Sequence, residues 1–422
     1  MKYLIYQTKN NNRMKLTETN SKINFKVFIW HSAFLALASN FMDVDTIIPS
    51  MLIKAGGSSV HLGILTAIML GGSSLFQLVF ASFLSNQSLK KKYLLIGINL
   101  RITALFLLSL LFLHSASMHS DIIILLIFLL ISLFSFSGSF SNVSYIDILG
   151  KSVLNIKRKK FFSTKQIINS IGIFSSALIA RELLKYYNYP FNYSILFLFA
   201  GILLFIASLG FWKIREIKSV VKAEKGFVEF FTTAPSEIKK NVNLKYYLLI
   251  INSLGLGLSL LPFLVLYAKV NFGLSYALIG NFLLFRTIGM LSAGLFLYKY
   301  SNKFQYKNLL KLSISLAGVL PLVSLVFSQA QSIYQLIFIF SGIFVAIYKI
   351  AISGVLLEIS TNENRAVYAG ISGAGNILTT LFPLFAGVLI LILGYQVVFI
   401  TISLFIFYSY IFVTKLQCKP TT

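Results

Sequence analysis

The chain has 422 residues, of which 57% are hydrophobic and only 12% charged, and its mean hydropathy is +0.82. Soluble domains carry about a quarter charged residues, so a water-soluble fold is excluded, and runs such as SILFLFAGILLFIASLGFW lack the apolar/polar alternation of a membrane β-barrel. A formal charge of +25 would point to nucleic acid in a soluble protein, so the placement of those charges decides their meaning.

Residues 1–26 form a polar, basic tail that lacks the apolar core of a cleaved signal peptide. Apolar runs long enough to cross a hydrocarbon layer of about 30 Å then predict helices over 27–53, 61–84, 93–115, 121–149, 162–184 and 193–212. After a polar stretch over 213–244, six more follow over 245–268, 277–298, 309–328, 333–359, 366–392 and 396–414, and residues 415–422 form a second tail. The expected fold class is all-α: a polytopic membrane protein of about 12 helices in two bundles, 27–212 and 245–414. An even number of crossings puts both termini on one side.

Lysine and arginine show which side. About 28 of them fall in the tails and the loops after even-numbered helices, whereas the opposite loops hold Lys54, Lys185 and Lys269. The positive-inside rule then makes both termini cytoplasmic, in a bacterial inner membrane. Anchoring on anionic lipid accounts for the basic charge and removes nucleic acid as a partner. The single cysteine, Cys418, supports neither an intrachain disulfide nor a multi-cysteine metal site.

The halves repeat weakly. VHLGILTAIMLGGSSLFQLVFASFLSNQSLKKKYLL aligns with YALIGNFLLFRTIGMLSAGLFLYKYSNKFQYKNLL, pairing Gly63 with Gly280, and Arg158-x-x-Phe161 echoes Arg365-x-x-Tyr368. Parallel repeats joined by a long loop suit a carrier that rocks two bundles about a midplane site.

On these features the chain resembles the major facilitator superfamily over nearly its whole length. The loop between the second and third helices, ASFLSNQSLKKKYLL, is a degenerate form of that family's Gly-x-x-x-Asp-Arg-x-Gly-Arg-Arg pattern. Asn86 stands where the family has Asp, and Lys90, Lys91 and Lys92 keep the basic cluster. YIDILGKSVLNIKRKKFFS and LLEISTNENRAVY place Asp147 and Glu358 ahead of Arg158 and Arg365, which resemble the family's cytoplasmic gate charges or are solvated loop charges. The resemblance implies that helices one, four, seven and ten line a cavity. It also implies that helices two, five, eight and eleven join the halves, and that the rest face lipid.

Charges inside the membrane are costly and therefore mark function. The first helix carries Asn40, Asp43 and Asp45, followed by Pro49, which is expected to bend or end it. On one continuous helix Asn40 and Asp43 share a face and Asp45 points almost oppositely, so Asp43 is the expected proton-coupling group and Asp45 the second candidate. The alternative is a structural pair with Lys54 or Arg181. Asn40, Arg286, Lys349 and Arg101 are the substrate-cavity candidates, although a stabilising pair suits Arg101 better because its helix should be peripheral. His31, His61, His114 and His119 sit near helix ends and form no metal-binding pair. No phosphate-binding glycine loop or Ser-His-Asp pattern appears, so neither an enzyme nor a cofactor or metal is expected. The function expected is a monomeric, ion-coupled carrier of a small solute, with protons as the first choice and export of amphiphilic compounds preferred. A non-transporting sensor or assembly protein is the alternative.

Overall fold

The computed structural model describes residues 17–85, 87–218, 235–300, 304–360, 368, 371–373 and 375–417, and all regular secondary structure among them is helical. Helix α1, Glu18–Ser39, begins nine residues before the apolar run that predicts it. Thr17 caps it, its hydroxyl accepting from the Asn20 amide at 3.2 Å, and Glu18 complements the positive end of the helix dipole. The helix tightens into a 3-10 turn at Asn40–Met42, and Asp43 then turns extended (φ −65°, ψ 128°). A short α2, Ile47–Lys54, resumes the crossing. Pro49 neither bends nor ends the helix. It is the third residue of α2, where its missing N–H would have no intrahelical acceptor, and the break lies ahead of it.

The first half continues with α3 (Ser59–Ser85), α4 (Lys91–His114), α5 (Ser120–Ser152), α6 (Asn155–Tyr186) and α7 (Phe191–Leu209). The second half comprises α8 (Val242–Phe272), α9 (Tyr276–Tyr300), α10 (Tyr306–Val326), α11 (Gln331–Ile359), α12 (Ile377–Tyr408) and the short α13 (Tyr410–Lys415). Helix α12 unites two predicted crossings. Gly394, at φ +78°, turns the chain sharply inside it, a conformation that favours glycine. The apolar stretch from 371 to 415 covers 45 residues, about 67 Å of helix and so more than twice the hydrocarbon thickness.

Exposed apolar side chains lie on the helices expected to face lipid and equally on others, such as Leu125 and Leu129 of α5 and Ile167 and Ile171 of α6. Helix α7 exposes Leu198, Phe199, Ile202 and Phe205, and α12 beyond its turn exposes Val397, Ile400, Leu404 and Phe405. Helix α4 likewise exposes Leu100, Leu107 and Leu110, and α10 exposes Leu312 and Val319.

The two ends of the bundle differ. Where the loops carry few basic residues, the halves touch. Ser59 donates to the Gly387 carbonyl at 2.8 Å, Arg181 Nε to Asn281 Oδ1 at 2.8 Å, and the Tyr276 hydroxyl accepts from the Tyr189 amide at 2.9 Å. Lys54 Nζ lies 4.8 Å from the centre of the Tyr276 ring. Gly63 and Gly280, matched by the repeat, hold equivalent places here. A Cβ on Gly63 would stand 2.1 Å from the Pro383 carbonyl oxygen, and one on Gly280 2.8 Å from Arg181 Cγ, so each glycine admits a helix of the opposite half. Toward the basic end, α6 separates from α9, α10 and α11 around a cavity of about 840 Å³ that reaches Phe304 and Tyr306.

Candidate substrate and coupling site

Both aspartates of the first crossing meet one arginine of the second half. Asp43 pairs with Arg286 through one terminal guanidinium nitrogen and Asp45 pairs with it through the other. The break in α1 makes this possible. Asp43 Oδ1 accepts from the Asp45 amide at 3.1 Å and from the Thr46 hydroxyl at 2.8 Å, an Asx turn that leaves Oδ2 for the arginine. The expectation that one aspartate points away assumed 100° per residue through residue 45. The extended backbone at Asp43 replaces that rotation and turns both carboxylates to the same side.

Helix α9 brings Arg286 to them by packing tightly on α11. A Cβ at Gly289 would lie 1.9 Å from the Ile339 carbonyl oxygen, and one at Gly342 2.0 Å from that of Arg286 itself. Phe282 stacks on Phe338 at 4.0 Å between centroids. The arginine side chain is 8% exposed and the two aspartates 12% and 14%, so the ionic contacts are shielded from water. Neither Lys54 nor Arg181 is the partner of Asp43. Lys349, on α11, lies in the wall of the large cavity and within electrostatic range of Arg286, Asp45 and Asp43. Two carboxylates, one guanidinium and one ammonium balance.

The other sequence candidates are placed differently. Asn40 directs its amide hydrogens to Ile173 O (2.5 Å) and Ser176 Oγ (3.0 Å), fastening the end of α1 to α6. The small residues of α6 serve the same contact, since a Cβ at Gly172 would meet that of Ala36 at 2.8 Å; they admit α1 of their own half. Arg101 is not in a stabilising ion pair among the described residues. Its guanidinium lies 4.3 Å from the centre of the Phe134 ring, in the wall of a second cavity inside the first half. His31, expected near a helix end, lines that cavity too, because the early start of α1 puts it about 20 Å along the helix.

At the basic end Asp147 pairs with Lys90 at 3.1 Å and with Lys151 one turn on, both within the first half, and among the described residues it has no ion pair with the second half. Glu216 accepts from the Lys90 and Lys91 amides at 2.7 and 2.8 Å, capping α4 and holding the start of the central linker beneath it. Glu358 has a buried oxygen without a hydrogen-bond partner among the described residues. Asn86 and Arg365 lie outside the described residues, as does the side chain of Arg158. Sequence reasoning missed Lys165, Asn142 and Asn169, which also line the smaller cavity. The i, i+4 spacing of Lys165 and Asn169 on α6 was the available signal.

A broken first helix, a linker between two similar halves and a charge cluster joining them describe a carrier architecture. The profile of the Major Facilitator Superfamily matches residues 30–333 and 246–418. The chain belongs to the Major Facilitator Superfamily. It is accordingly a multi-pass membrane protein of a transporter family. The fold of this superfamily member is similar to that of a peptide transporter POT in complex with sulfate (TM-score 0.69, 12% identity, covering 94% of this chain and 96% of the other). It is similar also to the nucleoside transporter NupG (0.65, 15%, 93% and 98%). A third likeness is a bacterial homolog of the human lysosomal transporter Spinster in an inward-facing, unoccupied conformation (0.65, 11%, 96% and 100%). No curated relative matches the sequence. At these identities the likenesses establish the fold alone.

Proposed function

We infer that the protein is a secondary active transporter that carries a small solute by alternating access and couples it to protons through Asp43, Asp45 and Arg286. The carrying observation is that, among the described residues, the ion pairs joining the two halves both run through Arg286. Residues 27–212 and 245–414 are the rocking units and 213–244 the linker. The positive-inside rule assigns the basic end to the cytoplasm of the inner membrane, so this state is closed outside and its cavity faces in. The walls there are mainly apolar, with Ile173, Met290, Leu291 and Leu297 beside Lys349, which fits an amphiphilic solute taken up from the cytoplasm and exported.

Solute binding shifts the equilibrium by favouring the state in which the outer contacts part, which frees the carboxylates from Arg286. One then accepts a proton from outside. When the halves close again Arg286 recaptures both carboxylates and the proton leaves on the inner side. One solute moves out as one proton moves in.

The test is proton movement in vesicles that contain the purified protein and a pH-sensitive dye, challenged with a panel of amphiphilic anions, cations and neutral compounds. Proton flux that requires both the protein and one class of compound is the expected result. Folded, reconstituted protein that moves neither protons nor any labelled compound would favour a non-transporting sensor, the reading to which the degenerate loop around Asn86 is suited.

A further inference from the structure

Inside the first half, α1, α4, α5 and α6 enclose a cavity of about 310 Å³. Three of these helices each contribute one basic group to its wall: His31 from α1, Arg101 from α4 and Lys165 from α6. Asn142 and Asn169 add amides. No carboxylate lies within ion-pair distance of Arg101 or Lys165 among the described residues. The two cations face aromatic rings instead, Arg101 over Phe134 at 4.3 Å and Lys165 over Tyr145 at 5.5 Å. Arg101 Nε and His31 Nδ1 are enclosed without a hydrogen-bond partner, and His31 is 6% exposed.

This pattern differs from that of Arg286 and Lys90. Arg286 has two aspartates, and Lys90 has Asp147. Cations in a membrane interior are costly when nothing balances them, and rings neutralise them only in part. The space is also shaped for the guanidinium. A Cβ on Gly138 would stand 3.2 Å from Arg101 Nε and 3.4 Å from Cζ, so glycine leaves the plane of the fork clear. A planar fork and an ammonium in the wall of one cavity are donors suited to a carboxylate or a phosphate. The site is not isolated, since Asn169 and Ile173 belong to its wall and to that of the 840 Å³ cavity between the halves.

We propose that this pocket is an anion-recognition subsite, in which Arg101 and Lys165 hold the carboxylate or phosphate head of an amphiphilic solute whose apolar body extends into the cavity between the halves. The word solute rests on the transporter reading; anion binding does not. It narrows the substrate class to organic anions.

Calorimetry on the full chain in nanodiscs of zwitterionic phosphatidylcholine tests this with four probes: 1-naphthoate, 1-naphthyl phosphate, 1-naphthylmethylammonium and 1-naphthol. The two anions are expected to bind saturably and at least about tenfold more tightly than the other two, and Arg101→Gln to weaken them about tenfold. Lys165→Gln is an independent second variant, and Arg101→Lys, which retains the charge, falls between wild type and Arg101→Gln. Equal affinity for the ammonium or neutral probe overturns the proposal, as does anion binding indifferent to both Gln variants. Phosphatidylglycerol nanodiscs separate the possible sources of the anion. Unchanged naphthoate binding supports a soluble solute, whereas its loss makes a lipid headgroup the occupant and overturns the assignment. Binding without any flux in vesicles would refute transport alone, and flux without anion preference would refute only this subsite.

Discussion

Arg286→Gln is expected to lower the stability of the purified protein by about 3–5 kcal/mol, read as a fall in unfolding temperature in detergent. The substitution removes the partner of two shielded carboxylates at once. Asp43 would keep the Thr46 hydroxyl and the Asp45 amide, and Lys349 would remain within electrostatic range, but neither carboxylate would retain a direct ion pair. Most of the loss is the cost of leaving charge buried and unmatched, so it is conditional on the aspartates. The triple variant Asp43→Asn, Asp45→Asn, Arg286→Gln leaves no buried carboxylate in the cluster, with Lys349 its one unmatched member, and should recover most of the stability. An Arg286→Gln protein as stable as wild type, or a triple variant no better than the single one, would show that the ionic contacts contribute little to this state.

The second large effect is on coupling. Asp43→Asn with Asp45→Asn removes both proton acceptors and preserves side-chain shape. Solute-dependent proton flux should fall by more than about tenfold, while exchange of labelled for unlabelled solute across the membrane persists. The asymmetry follows from the proposed cycle, in which the carboxylates carry the proton and the cavity walls carry the solute. Each single variant should lose less, because the remaining carboxylate can still alternate between Arg286 and a proton. Equal loss of flux and exchange would make the aspartates part of solute binding, and unaltered proton flux would remove them from coupling.

Much of the architecture was legible because the membrane imposes a strong constraint: each crossing needs a long apolar helix, and lysines mark one side. The aligned glycines Gly63 and Gly280 reach equivalent contacts, so even a faint repeat carried structural content. Local backbone geometry was less accessible. Hydropathy placed the start of the first helix at residue 27, whereas the Thr17 cap and Glu18 extend it outward, so that His31 lies well inside the helix and not at its end. The string Asp43-Val44-Asp45-Thr46 with Pro49 read as one amphipathic turn with a later kink. It is an Asx turn followed by a new helix start, with proline in the first turn. That difference decides whether one aspartate or two meet Arg286. Lys165 went unremarked in a helix expected to start at 162; the helix begins at Asn155, and Lys165 lines a cavity. Side-chain partners 243 residues apart, such as Asp43 and Arg286, leave no local signal at all.

The central claim is that this charge cluster holds the outer end of the transporter closed. Lys54 Nζ and the Tyr276 ring meet there from opposite halves, so a chain with Lys54→Cys, Tyr276→Cys and Cys418→Ser reports closure by the rate of cross-linking with a short bis-maleimide, which spans the gap left by two long side chains. Adding Asp43→Asn and Asp45→Asn is expected to slow that rate several-fold, because the closed state loses both ion pairs. An unchanged rate in the reconstituted, folded protein would contradict the account.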